Sequence, residues 1–501
     1  MNRPEAHRGV AVTRTQYKTI ETDIPARLDR LPWSKWHIRV LIGLGTVWIL
    51  DGLEVTIVGN ITTRLSEPGS GINITDVQVA GTAAALYVLG ACLGALFFGH
   101  LTDRWGRKRL FIITLVLYLT ATALTGLTTE AWMFFILRFL TGAGIGGEYA
   151  AINSAIDELI PANYRGRINI IINGTFWIGA AGRALLSILA LDENLFPRDI
   201  GWRLTFFLGL VFGLVILLVR RTVPESPRWL FIHGREDEAE KIVREIETKV
   251  QNQTGQELVE ATEALTIHQR PAIGFGLIAK TMFGRYPKRA VLGFAMFIGQ
   301  AFIYNAITFG FATILATFYD VPSGSTGYYY AVLAVFNFLG PLILSRFFDT
   351  WGRRPMISGT YILSGSFLLI TAWVFNAGLL TAVTLTACWC ATLFFASAGA
   401  SSAYLTVSEV FPMETRAMAI AFFYAIGTAA GGISGPLVFA NMVETGEPFD
   451  TAIAFSIGAV LMLIAGVIAI FLSVDAEKKS LEDIAAPISS ETNSPEVSDA
   501  S

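Results

Sequence analysis

The sequence predicts an all-α membrane protein of twelve transmembrane helices in two six-helix, pseudo-symmetric halves, with both termini cytoplasmic. Three observations carry that expectation. Runs of about 20 apolar residues recur, each long enough to cross ~30 Å of hydrocarbon. Basic residues gather on alternate connecting segments. Two loop motifs recur at matched places in the first and second parts of the chain.

The apolar runs fall at 40–60, 79–101, 110–129, 132–157, 168–191, 204–219, 290–318, 327–345, 356–376, 379–407, 417–441 and 452–474. Apolar residues make up 53% of the 501 and charged residues 15%, against roughly a quarter charged in a soluble domain. A row of soluble domains is therefore excluded. The formal charge of −3, from 37 Lys and Arg against 40 Asp and Glu, lacks the basic excess of a nucleic-acid binder. Cys92, Cys388 and Cys390 all lie inside apolar runs, which suits neither a disulfide framework nor a four-ligand zinc site. No metal, cofactor or catalytic constellation is expected. The first run starts far from Met1 and contains Asp51 and Glu54, so no targeting peptide is read in it.

With the N-terminus placed in the cytoplasm, 32 of the 37 Lys and Arg fall on inside segments. Three (Arg64, Arg198, Arg203) lie on or beside outside loops, and two (Arg138, Arg183) lie within spans. The rule that basic residues stay inside sets the orientation. The chain then divides into a cytoplasmic N-terminal segment 1–37, a first half 38–220, a connector 221–288, a second half 289–474 and a tail 475–501. Arg27, Arg30, Lys35, Trp33 and Trp36 have the composition of an interfacial anchor. Glu236 to Lys249 reads as an amphipathic, charge-laced helix. The Ser-, Glu- and Pro-rich tail reads as disordered.

The repeat is explicit. Asp103-Arg-Trp-Gly-Arg107 after span 2 returns as Asp349-Thr-Trp-Gly-Arg353 after span 8. Glu158-Leu-Ile-Pro-Ala-Asn-Tyr-Arg165 after span 4 returns as Glu409-Val-Phe-Pro-Met-Glu-Thr-Arg416 after span 10. Two registered matches make chance convergence improbable.

Asp51, Glu54, Arg138, Glu148 and Arg183 sit well inside spans of the first half, and the second half has no ionisable residue within its six. A charge at mid-bilayer costs about 2.5–3.5 kcal/mol on insertion scales, so these side chains are expected to face the bundle interior or a wet cavity. Asp51 and Glu54, three apart, share a helix face. A carboxylate beside Arg138 would be held ionised by it, and protonation would release the Arg. Arg183 could clamp a substrate carboxylate in bidentate fashion or pair with Glu148. Gln300, Tyr304, Asn305, Asn337, Trp389, Ser401 and Tyr404 are candidate neutral contacts on the opposite wall.

Over residues 38–474 the chain resembles the major facilitator superfamily, through the two Asp-x-x-Gly-Arg loops. It resembles the sugar-porter-like branch through Pro224-Glu-Ser-Pro-Arg-Trp-Leu230 and through Arg138-x3-Gly142-x-Gly144-x-Gly146 running into Glu158. Asp51-Gly-Leu-Glu54 is similar to the acidic span-1 element of metabolite:proton symporters in that superfamily. The sugar-specific features are eroded. One Gln and the Asn of the span-7 motif survive as Gln300 and Asn305, and Tyr404 stands where a sugar-stacking Trp is usual. The span-5 Gly-Pro element of drug exporters is absent from Gly179 to Arg183.

The resemblance implies a secondary transporter, not an enzyme, working by alternating access in the plasma membrane, a bacterial inner membrane first. Its partners would be a small-molecule substrate, protons and the lipid bilayer, with no nucleic acid and a monomeric state. Asp51, Glu54, Arg138 and Glu148 are the expected proton-coupling residues. Arg183, Gln300, Tyr304, Asn305, Asn337, Trp389 and Tyr404 are the expected substrate contacts, with an organic or aromatic acid first because of Arg183. Asp103, Arg107, Glu158, Arg165, Asp349, Arg353, Glu409 and Arg416 would form a cytoplasmic gate. A sugar or polyol carrier, an exporter and a non-transporting membrane sensor are the alternatives.

Overall fold

The computed structural model describes residues 19–105, 107–219, 225–232, 234–259, 265–268, 276, 279–412 and 415–485. A short strand β1 (Thr19–Thr22) and helix α1 (Ile24–Asp29) precede the first long rod. That rod is α2 (Lys35–Val55) continued by α3 (Ile57–Ser66). Four single rods are α4 (Ala84–Trp105, entered through a π turn at Gln78–Ala83), α5 (Arg107–Thr125), α6 (Ala131–Leu159) and α9 (Arg198–Val219). Between the last two lies the broken rod of α7 (Ala162–Gly174) and α8 (Phe176–Ala190). The connector holds α10 (Pro227–Ile232), α11 (Glu236–Thr254) and β2 (Leu265–His268), which pairs antiparallel with β1.

The remaining rods are α12 (Pro287–Tyr319), α13 (Thr326–Thr350), α14 (Arg353–Asn376), α15 (Ala382–Val410) and α18 (Pro448–Leu472). One more is α16 (Arg416–Thr428), which runs through a π turn into α17 (Ser434–Glu444). Among the described residues, nine rods are long and apolar enough to cross a membrane. Exposed Leu93, Phe97, Val116, Leu189, Leu214, Ile370, Trp373 and Phe471 give the bundle an apolar outer surface, as a hydrocarbon surround requires.

Two rods break where the site will be found. At Thr56, right after Val55, the hydroxyl bonds the Gly52 carbonyl (2.7 Å) and the Asn60 amide bonds the Thr56 carbonyl (2.9 Å). At Thr175 the hydroxyl bonds the carbonyls of Ile172 (2.6 Å) and, across to α2, Gly45 (3.0 Å). Such side-chain bonds to the preceding turn bend helices. Gly52 lies against the Phe176 backbone and Gly179 against that of Ile49 and Leu53, so α2 and α8 meet backbone to backbone.

The glycine run of α6 is a packing seam of two faces. Gly142 and Gly146 abut the α4 backbone at Tyr87 and Ala91, while Gly144 faces Tyr118 and Thr114 of α5. Gly90 and Gly94 of α4 return the contact on Phe139 and Ala143. Small residues that admit a neighbouring backbone are how helices associate where lipid supplies no hydrophobic drive. The first six rods meet the last six through α13 on α7 and α8, α4 on α16, and α3 on α12.

The N-terminal segment docks on the connector. Arg27 and Arg30 both donate to Glu247 of α11 (2.6 Å each), and Arg27 also to Glu240 (2.8 Å). Trp36 is buried, and its backbone N–H donates to Gln253 (2.9 Å). The segment docks on α11 because α11 presents carboxylates at Glu240 and Glu247, two turns apart on one face. The tail differs from expectation: Leu481–Ile484 is helical and the Ile484 carbonyl accepts from Arg289 (3.0 Å). Residues 1–18 and 486–501 lie outside the described residues.

Burial disfavours the ionised Glu247 carboxyl, yet hydrogen bonds from Arg27 and Arg30 outweigh it and hold the group below its ordinary range. A depressed carboxylate stabilises above its unfolded value, about 4.3, and loses that contribution as pH falls through the folded value. Resistance of the connector to proteolysis is therefore expected to persist from pH 8 to 5 and to fall below about pH 4. Glu247→Gln should show the low resistance at every pH; a flat wild-type profile down to pH 3 would contradict this dock.

Candidate functional site

Between the first six and last six rods lies a cavity of about 140 Å³. Eight aromatic rings line it: Trp48 (α2), Tyr87 (α4), Tyr149 (α6), Phe176 and Trp177 (α8), Tyr304 (α12), Tyr404 (α15) and Tyr424 (α16). Polar lining comes from Asn173, Gln300, Asn305, Thr308, Ser397, Ser401 and Thr428. Its described lining contains no Asp, Glu, Lys or Arg.

Trp48 stacks on Tyr149 (4.9 Å between centroids, 9° between planes), and Tyr404 meets both edge-on (6.0 and 6.2 Å). Tyr149 also takes Tyr424 edge-on at 5.1 Å. These four rings come from α2, α6, α15 and α16, so their packing bridges the first and last six rods. Higher on α8, Trp177 lies 5.4 Å from Tyr304. Asn173 donates to Asn153 (3.1 Å) and to Asn169, while its Oδ1 is buried without a hydrogen-bond partner.

Of the expected substrate contacts, Gln300, Tyr304, Asn305, Ser401 and Tyr404 line this cavity. Three do not, and each corrects the sequence reading. Trp389 is 1% exposed and packs on Phe455 in the apolar interior; it lies fifteen residues before Tyr404 on α15, roughly 22 Å along the axis. Asn337 sits behind the wall, accepting from the Tyr304 hydroxyl (3.1 Å). Arg183 is fully buried and its Nη1 donates to the Thr205 carbonyl of α9 (2.8 Å).

Arg183 belongs instead to a buried charged cluster. Glu54 feels Arg183 most strongly, then Arg138, and neither of its carboxylate oxygens has a hydrogen-bond partner among the described residues. It packs against Gly209 of α9, where a side chain would collide with the carboxylate. Arg138 donates to Thr125 and Thr141 (3.2 Å each) and lies over the Phe206 ring (5.1 Å). The two arginines stand near Glu54 without a carboxylate contact within 4 Å, so attraction acts at longer range through a dry interior. Asp51 interacts with Tyr87, Tyr149, Tyr404 and Tyr424, all in the cavity wall. Tyr87, in the cavity wall, lies within electrostatic range of Asp51, Arg138 and Glu54.

Glu148 stands apart. Its Oε1 accepts from Thr114 (3.2 Å), and ten residues of α6, roughly 15 Å, separate it from Arg138. That axial separation keeps it out of the Glu54–Arg138 grouping.

At the far end, Arg353 makes a bidentate contact to Glu409 (2.9 and 3.0 Å) and a third bond to Asp349 (2.9 Å). Asp349 in turn accepts from the Arg167 backbone (2.8 Å), the link to the first six rods. Arg165 pairs with Asp29 of the N-terminal segment (2.8 Å), a partner the motifs did not indicate, and Arg416 donates to the Ser408 carbonyl (2.6 Å). The side chains of Asp103, Arg107 and Glu158 lie outside the described residues. Removing one member of a buried ion network leaves an uncompensated charge, at a cost of about 3–5 kcal/mol. Arg353→Leu is thus expected to lower the thermal midpoint by several degrees, while Arg354→Leu, exposed beside Asp475, should change it little. Equal shifts in purified protein would refute that ranking.

Sequence reasoning missed Trp48, Tyr87, Tyr149, Asn173, Phe176, Trp177, Thr308, Ser397, Tyr424 and Thr428. A Trp or Tyr in an apolar run reads the same whether it packs in a core or faces a cavity, so only the Asn and Thr residues offered a signal.

A helical bundle that encloses an aromatic, polar-tipped cavity, with buried charges in the adjoining wall, defines a membrane transporter. The chain belongs to the sugar (and other) transporter family of the major facilitator superfamily, whose family model matches residues 40–487. It is 26% identical over 475 residues to the niacin transporter NiaP of Acinetobacter baylyi, covering 92% of this chain and 99% of that one. It is 25% identical over 420 residues to the inner membrane metabolite transport protein YgcS of Escherichia coli, covering 83% and 87%. Its fold is similar to that of the proton:xylose symporter XylE bound to 6-bromo-6-deoxy-D-glucose, with a TM-score of 0.73 at 18% identity over 90% of this chain and 98% of that one.

Proposed function

We propose that this transporter imports a small single-ring aromatic acid together with a proton, by alternating access. The cavity carries the reading: eight rings, neutral polar tips and about 140 Å³, when a cavity near 150 Å³ holds a benzene ring. Its wall has no described cation for a carboxylate. With the one proton on Glu54, the charge of Arg138 and Arg183 is left to balance a monocarboxylate at longer range, so the load and its proton together add no net charge. The similarity to a niacin transporter supports the same class, since niacin is a pyridine ring bearing one carboxyl.

Glu54 is the proposed proton-coupling carboxylate, with Arg138 and Arg183 as its counter-charges; Asp51 and Tyr87 would link it to the cavity. The Asp349–Arg353–Glu409 network and its link to Arg167 would hold the cytoplasmic end of the two halves together until the load is bound.

Uptake of labelled nicotinate, benzoate and D-xylose into proteoliposomes tests this. Nicotinate or benzoate is expected to accumulate under an inward proton gradient, to lose accumulation with a protonophore, and to respond little to membrane potential because the load and its proton together are neutral. Accumulation of D-xylose with no uptake of either acid would replace the substrate with a sugar. Accumulation indifferent to the proton gradient would remove symport.

A further inference from the structure

Resting on the aromatic-acid reading, we infer that Tyr304, locked from behind by Asn337, forms with Trp177 the aromatic surface that selects a flat ring, and that Asn337 is a positioning residue that never touches the load. The Asn337 amide is fully buried, and its two ends are spoken for separately. Its Nδ2 donates to the Leu333 carbonyl (3.0 Å), which leaves Oδ1 to accept the Tyr304 hydroxyl (3.1 Å). The Leu393 carbonyl, 3.5 Å from the same hydroxyl, is a second and longer acceptor. Tyr304 is therefore fixed at its tip while its ring faces the cavity beside Trp177, at 5.4 Å between centroids and 36° between planes.

The two rings belong to α8 and α12, one from each side of the interface between the first and last six rods. At 5.4 Å the two rings touch each other and leave no room for a third between them; a flat π system would lie against the joint surface they present to the cavity, worth about 0.5–1.5 kcal/mol beyond area burial for each aromatic pair. A puckered, hydroxylated ring would lose that contact and meet apolar faces where it needs donors and acceptors. The surface thus favours the flat ring over a polyol.

The experiment is a double-mutant cycle on Tyr304→Phe and Asn337→Leu, read as nicotinate uptake by proteoliposomes. Each single variant is expected to raise KM about tenfold, the scale of one buried hydrogen bond lost, with kcat within about twofold. The double variant should be no worse than either single. Tyr304→Ala should raise KM further and admit D-xylose. Losses that multiply in the double variant would place Asn337 in direct contact with the load and overturn the inference, as would an unchanged KM in both singles. If wild-type protein takes up neither nicotinate nor benzoate, the function reading falls by itself. The cycle is then run on the thermal midpoint of ligand-free protein and on D-xylose uptake. Non-additive midpoint shifts with an altered xylose KM in Tyr304→Ala keep the lock and the selecting role; additive shifts overturn them.

Discussion

Glu54→Gln is expected to abolish accumulation against a gradient while exchange of load across the membrane continues. Glu54 is fully buried, its carboxylate packed on Gly209 and flanked at longer range by Arg183 and Arg138. In the proposed cycle its charge holds those guanidiniums, and a proton arriving on it frees them. Gln keeps the shape but has no site for a transferable proton. A gradient of one pH unit is worth 1.36 kcal/mol, or about tenfold accumulation per proton. Under that gradient the variant is expected to fall from about tenfold to no accumulation. Counterflow at a substantial fraction of the wild-type rate would show that the variant is folded and loads. Glu54→Asp, one methylene shorter, should accumulate partially. Full accumulation by Glu54→Gln would move coupling elsewhere, with Asp51→Asn the next variant to measure.

Gly142→Val and Gly146→Val are expected to remove folded protein altogether. A Cβ at either position would collide with the α4 backbone, at Tyr87 and at Ala91 respectively, and backbone has no rotamer in which to step aside. Overpacking a core with a flexible neighbour costs about 1–3 kcal/mol; forcing two rods apart along a reciprocal seam exceeds that. Gly182→Ala is the control, because nothing lies within 4 Å of a Cβ there and Ala favours a helix over Gly by up to about 1 kcal/mol. Gel-filtration yield and thermal midpoint read the series. A monodisperse Gly142→Val protein with a wild-type midpoint would refute the seam. Gly144→Ala would meet the Tyr118 Cβ at 2.6 Å and the Thr114 and Tyr118 backbone at 2.9 and 3.0 Å; these overlaps are smaller than those at Gly142 and Gly146, so it should weaken the fold less.

The same residues mark where sequence reading reached and where it stopped. Gly142, Gly144 and Gly146 were visible as a family mark, yet their job follows from which neighbour each one faces. Arg183 was rightly read as a costly buried charge, but spacing along one helix does not say which way a guanidinium turns. Packing turned it toward Thr205 and Glu54, away from the cavity. Trp389 and Tyr404 share one helix and equivalent chemistry; only the second lines the cavity. Arg165 had a motif but no visible partner, because Asp29 reaches it from a segment 136 residues earlier.

By itself the sequence determined that this chain lives in a bilayer as a set of apolar rods, that one loop grammar occurs twice, and that its expensive charges belong to the first part. Those are local properties: an apolar run of sufficient length has a single low-energy environment, and a charge within it has to find a partner. The tertiary structure alone decided which aromatic rings face a cavity and which fill an apolar interior, and which carboxylate each arginine serves. Rotating a helix by about 100° per residue changes both without altering composition, and only the packing of rods against one another fixes that rotation.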